Sequence, residues 1–291
     1  MKIISSLLSS LLILASSLTY AEPLVVVPAW QSLDVLEQPE SVVYHRPSKL
    51  LYVSNINGDG TEADADGYIS SLSVDGQLIE QYWLTGLNAP KGLTIVGNKL
   101  YIADINELIV ADIKQKKIVE RYSAPEAKFL NDVVADHNGH IYVSAFLTNT
   151  LYRLADGKFS IWIEDEALDV PNGLLVEDNQ LLVASWGTMT DGFATTTPGH
   201  IKTIDINTKQ INSLGDKSAI GNLDGIEADG HGNYFVTDWM SGKLLHITKQ
   251  GLSKTLVALE QGSADHTIIP EKNLIIIPMM LTNKLIAFKI K

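Results

Sequence analysis

Six short segments of the same build recur along the chain, and this recurrence constrains the fold more than any other feature. They are Leu51–Ile56, Leu100–Ile105, Ile141–Phe146, Leu181–Trp186, Tyr234–Trp239 and Leu274–Met279. Each is apolar or alternating over five or six residues, which suits a strand and is too short for a helix. A further strand follows each, as at Leu108–Ile113, Leu151–Leu154, Ile201–Ile206 and Leu244–Ile247. A fourth is visible in five repeats, as at Phe159–Ile163. Four strands in about 40 residues is the arithmetic of a propeller blade. The expectation is an all-β, six-bladed β-propeller with four antiparallel strands per blade.

The equivalent residues that open each first strand are read as Glu40, Lys91, Asn131, Asn172, Asp224 and Asp265. Their spacing makes the first and fourth repeats long by about ten residues. The surplus falls in Asn57–Gly67 and Gly187–Gly199, between second and third strands, which places both loops on the face where the first strands begin. The last repeat stops at Lys291 without a fourth strand, while Leu24–Glu37 precedes the first repeat as a fourth strand precedes the others. The N-terminal strand is therefore expected to complete the last blade and leave no open edge. Residues 22–291 read as one domain, with no Pro/Gly/Ser-rich break.

Residues 1–21 read as a cleaved secretory signal: Met1-Lys2, an uncharged run from Ile3 to Leu18, and small residues before a cut after Ala21. A membrane anchor is the alternative, for which the run is short and interrupted by serines. The expected location is outside the cytosol, in a bacterial periplasm. The chain has no cysteine, which removes disulfides, thiolate metal sites and cysteine nucleophiles. Its formal charge of −12, without a basic run, disfavours nucleic acid and favours cations and neutral small molecules.

First strands line the central channel of a propeller, so their opening residues converge. Five of the six are Asp, Glu or Asn, types that make up about one residue in six of the chain. Turn chemistry accounts for part of this, since Asn and Asp cap their own backbone. Carboxylates and amide carbonyls aimed at one axis also suit a hard divalent cation, Ca²⁺ first, with Mg²⁺, Mn²⁺ or Zn²⁺ behind it.

Pro39–Tyr44, Leu130–Val134, Pro171–Leu174 and Leu223–Ile226 resemble the metal-binding segments of the regucalcin/gluconolactonase family. The resemblance implies a six-bladed propeller, a divalent metal in the channel and hydrolysis of lactones. It implies that Glu40, Asn172 and Asp224 hold the metal, that Asn131 touches water or substrate, and that Asp132 is the acid following it. Asp224 is expected to double as general base. Two departures stand out. Lys91 lies in the ring, either facing the substrate or paired sideways with Asp104. Asp265-His266 sits in the last blade, with Asp265 expected to contact substrate and His266 a proton shuttle if it faces the cavity and a structural histidine otherwise. Trp186, Trp239 and Phe193 are placed either to wall the cavity or to pack between blades. His200 reads as a solvated loop histidine.

The expected function is a divalent-metal-dependent hydrolase of lactone-like or ester substrates, acting on a small molecule without nucleic acid. The alternative is a non-enzymatic envelope propeller binding an anion or a protein, motivated by Lys91.

Overall fold

In the computed structural model, which describes residues 24–291, six four-stranded antiparallel sheets form the blades of a propeller. The leader expected at residues 1–21 lies outside the described residues. Five blades run in sequence order from the axis outward, with first strands Pro39–His45, Pro90–Val96, Leu130–Ala135, Pro171–Glu177 and Leu223–Ala228. The sixth has Thr267–Ile269 innermost, then Leu274–Met279 and Lys284–Ile290, and its outer strand is Val26–Gln31 from the N-terminus. Val26 pairs with Ile290 and Gln31 with Ile286, so the ring closes as expected. The edge that the last blade would otherwise present is paired.

The hydrophobic core is divided among the blade interfaces. Val42 and Leu51 of the first blade pack with Ile276 and Leu285 of the last, and the other five interfaces each hold a cluster of the same kind. The alternation in the sequence is the cause. Both faces of each sheet are covered by neighbouring blades, so the second strands are buried along most of their length.

The first strands of the first five blades each carry one irregularity. The pairing register slips between Pro39 and Val42, Pro90 and Leu93, Leu130 and Val133, Pro171 and Leu174, and Leu223 and Ile226. A bulge of this kind leaves one residue unpaired and re-aims its side chain. Here the re-aimed residues include those of the channel ring. The amide exposed by the slip is held by a hydroxyl from the second strand: Ser54 Oγ for Ser41, Ser144 Oγ for Asp132 and Thr237 Oγ1 for Gly225.

The last blade corrects the assignment of its ring residue. Ser263 bridges Met279, the final residue of its second strand, as Pro39 pairs with Asn55 in the first blade. Ala264 therefore takes the place of Glu40, and Asp265 takes the place of Ser41 and Asp132, one residue further down the channel.

Adjacent first strands touch closely at that lower level. A Cβ on Gly173 would collide with the carbonyl oxygen of Asp224, and one on Gly92 would lie 2.5 Å from the Cα of Asp132. Both obstacles are backbone, which cannot swing away. We expect Gly173→Ala to cost at least about 1–3 kcal/mol, the usual price of overpacking a tight contact. Gly139→Ala, with open space around the new methyl but a backbone φ of +82°, serves as the comparison. Urea unfolding of the two variants checks this. A Gly173→Ala protein as stable as the parent would contradict the close approach.

Candidate active site

Glu40, Lys91, Asn131, Asn172 and Asp224 come together at the floor of a cavity of about 160 Å³ at one end of the channel. All five are buried. Asn172 Nδ2 donates to the Leu223 carbonyl at 3.1 Å, and Asn131 Nδ2 donates to Asn172 Oδ1. These bonds fix both amides so that Asn131 Oδ1 has no partner in the protein, and Glu40 Oε2 is equally without one. Buried acceptors left unpaired are costly, so such a pair of atoms calls for a ligand.

The carboxylates repel one another. Burial, then Asp224 and Asp265, holds the Glu40 carboxyl well above its usual range, with Lys91 acting against them. Burial and Asp265 do the same to Asp224. A cation among these oxygens would relieve both effects. Among the described residues, no three His, Cys, Asp or Glu side chains are gathered to hold a metal by themselves. The ring depends on its asparagine oxygens, and the donor set of two carboxylates and two amide carbonyls fits a hard cation.

Lys91 does not fill the ring centre. Its Nζ donates to the carbonyls of Gly60 and Ala89, both at 2.9 Å, and lies 4.2 Å from the centroid of Phe129. The expected partner, Asp104, instead accepts from the amides of Asn88 and Ala89 at 2.9 and 2.8 Å. Burial lowers the Lys91 ammonium to about 8, with Glu40 the main opposing charge. Lys91 thereby ties the first long loop to the cavity wall.

Asp132, Asp265 and His266 are not at this floor. They line a second, lower cavity of about 110 Å³ together with Glu227. Asp132 Oδ2 accepts from Leu174 N at 2.6 Å, joining the third and fourth blades, and Ser41 Oγ donates to Asp265 Oδ2 at 2.6 Å, joining the first and last. Both act as clasps between innermost strands. His266 occupies the place of Val42, its ring nitrogens have no partner in the protein, and burial lowers it to about 3. A neutral imidazole in that chamber is not positioned to carry protons at the floor above. His200 is buried between Ser213 Oγ and Lys202 Nζ rather than solvated.

The wall above the floor is the part that motif reading left open. Trp186 lines the cavity and its Nε1 donates to the Phe193 carbonyl at 2.9 Å, anchoring the second long loop. Phe146 and Trp239 flank it at ring distances of 5.4 and 6.0 Å. Ile56, Met280 and Leu281 supply the facing side. Phe146 and Met280 directly follow second strands and Phe129 directly precedes a first strand, and none of the three carries a motif of its own.

The model of the SMP-30/gluconolactonase/LRE-like region matches residues 38–262, about three-quarters of the chain. The chain belongs to this family. No curated protein matches it. Among solved structures, a gluconolactonase from Xanthomonas campestris is similar with a TM-score of 0.67 at 14% identity, covering 89% of this chain and 88% of that one. A catalytically inactive virginiamycin B lyase from Staphylococcus aureus, solved with quinupristin, gives 0.63 at 13% identity over 92% of this chain and 99% of that one. A chain of a nidogen/laminin complex gives 0.56 at 17% identity over 75% and 79%. At these identities the likenesses show the propeller fold. The family match covers the bulges that carry Glu40, Asn131, Asn172 and Asp224.

The buried charges set a pH dependence. Burial pushes Asp265 up to about 7 and Glu227 up to about 8. A carboxyl whose folded value is raised binds more protons folded than unfolded, so stability falls as pH rises from the unfolded value towards the folded one. His266, lowered by burial, works the other way, but only below its unfolded value of about 6.5. Lys91 acts only above about 8. Between pH 6.5 and 8 the carboxylates act alone, and the chelator-treated protein should lose stability across that window. Asp265→Asn should flatten the loss. Urea midpoints at pH 6.5, 7.2 and 8 check this, and a parent midpoint that rises with pH would contradict it.

Proposed function

We propose that this chain is a divalent-metal-dependent hydrolase of lactone-like esters. The observation that carries the reading is the meeting of Glu40, Asn131, Asn172 and Asp224 at the floor of an enclosed cavity, with acceptor oxygens left unpaired. Membership of the family supports it, as does the gluconolactonase fold neighbour.

Glu40, Asn172 and Asp224 would hold the cation, with Ca²⁺ the first candidate on ligand grounds. When bound, it would supply Lewis acidity at the substrate carbonyl and make nearby water more acidic. The rest is the work of the chain. The apolar wall keeps bulk water off the reacting carbonyl. Asn131, its amide fixed by Asn172, orients the substrate or the attacking water. Asp224 accepts the proton of that water as its oxygen bonds to the acyl carbon. The acyl carbon–ring oxygen bond then breaks, the ring oxygen takes up a proton, and the product is a hydroxy acid.

The alternative of a non-enzymatic binding propeller rested on Lys91 displacing the cation. With its ammonium drawn to Gly60 and Ala89, that motive is removed. We further propose that the protein is exported, on the strength of the leader-like residues 1–21. N-terminal sequencing of protein recovered from an envelope fraction should then begin at Glu22.

The hydrolase reading is tested with a panel of simple lactones and aryl esters, with Ca²⁺ and after chelation. Turnover should vanish on chelation and return when the ion is restored. Asn131→Ala should lower kcat by about 10²-fold or more, in keeping with loss of a positioning or electrostatic group. Turnover indifferent to chelation, or absent across the whole panel, would sink the reading.

A further inference from the structure

The cavity has a polar floor and apolar walls, and the division is sharp. Every charged or amide side chain that borders it belongs to the ring of first-strand residues. Above that level Phe146, Trp186, Phe193 and Trp239 form one continuous aromatic side, with Phe146–Phe193 and Trp186–Phe193 ring distances of 6.2 and 6.1 Å. Met280 and Leu281 form the aliphatic side opposite. The Trp186 N–H is already spent on the Phe193 carbonyl, so that indole has no donor for a ligand.

At about 160 Å³ the cavity is the size of a single small ring, since an apolar void of about 150 Å³ takes a benzene molecule. Anything larger must leave towards the mouth. There the path is bordered by Phe193 and Leu281, which are 50% and 52% exposed.

From this we infer the substrate class, resting on the hydrolase reading above: a lactone whose ring sits on the oxygen floor and whose alkyl or aryl substituent lies along the aromatic wall to Phe193 and Leu281. A sugar lactone fits poorly. Its ring hydroxyls would face the aromatic and aliphatic walls without partners, and burying an unpaired hydroxyl is costly. An alkyl chain in the same place gains about 0.8 kcal/mol for each CH₂ removed from water.

The test is a homologous series of δ-lactones, unsubstituted and with alkyl chains of increasing length at the ring carbon next to oxygen, set against glucono-δ-lactone. kcat/KM should rise by up to about fourfold per added CH₂ until the chain passes the rim, the fold-change that corresponds to about 0.8 kcal/mol. Phe193→Ala and Leu281→Ser should each reduce the ratio of long-chain to unsubstituted turnover. A readout independent of turnover is the quenching of tryptophan fluorescence by 2-alkylcyclohexanones, which cannot be hydrolysed. Their affinity should rise with chain length. Preference for glucono-δ-lactone over every alkyl lactone would overturn the inference and leave the hydrolase reading standing. Ketone binding that strengthens with chain length, with no lactone turned over, would overturn the hydrolase reading and support the apolar wall. Ketone affinity independent of chain length would overturn the wall itself.

Discussion

Three carboxyl groups, those of Glu40, Asp132 and Asp224, are buried at the axis of the ring, and each feels the charge of the half-buried Asp265 beside them. Burial and like charge both oppose their ionisation, so the centre of the molecule works against its own stability near neutral pH. The rest of the structure can be understood from how that tension is met. Asp132 and Asp265 meet it with hydrogen bonds that clasp neighbouring blades. Glu40 keeps an oxygen unpaired. That difference divides the channel into a lower chamber that serves the fold and an upper floor open to a ligand.

The division depends on the bulge in the first strands of the first five blades. Without the slip, residues on either side of it would alternate regularly between the channel and the sheet. With it, consecutive residues such as Asn131 and Asp132 serve two levels of one channel. Gly92, Gly173 and Gly225 then take the lower-level places beside Asp132 and Asp265, where a side chain would strike the neighbouring strand.

Much of this was legible in the sequence because it follows from local pattern. The apolar second strands, the two long loops and the closing N-terminal strand are all written in runs and spacings. Glu40, Lys91, Asn131, Asn172 and Asp224 share a local cue, because a Pro or Leu precedes each of them. The last blade breaks this cue. Ser263 stands where Pro or Leu stands elsewhere, and Asp265 shares the acid or amide type of the other ring residues, which Ala264 lacks. A slip of one residue changes the level a side chain serves, and only the Ser263–Met279 bridge reveals it. Where the Lys91 ammonium points was equally hidden, because it is decided by the Gly60 carbonyl, 31 residues away on a loop. The aromatic wall has the same character. Phe146, Trp186 and Trp239 each end a second strand, but their contact with one another is made by closing the ring.

The central proposal is that Glu40, Asn172 and Asp224 together bind one divalent cation at the floor. Native mass spectrometry of the protein with Ca²⁺ tests it most directly, comparing the parent with Asp224→Ala and Asp265→Ala. The account predicts one ion per chain in the parent, none in Asp224→Ala, and an ion retained in Asp265→Ala, whose carboxyl serves the lower chamber. A parent that binds no divalent ion, or an ion that survives Asp224→Ala, would contradict it.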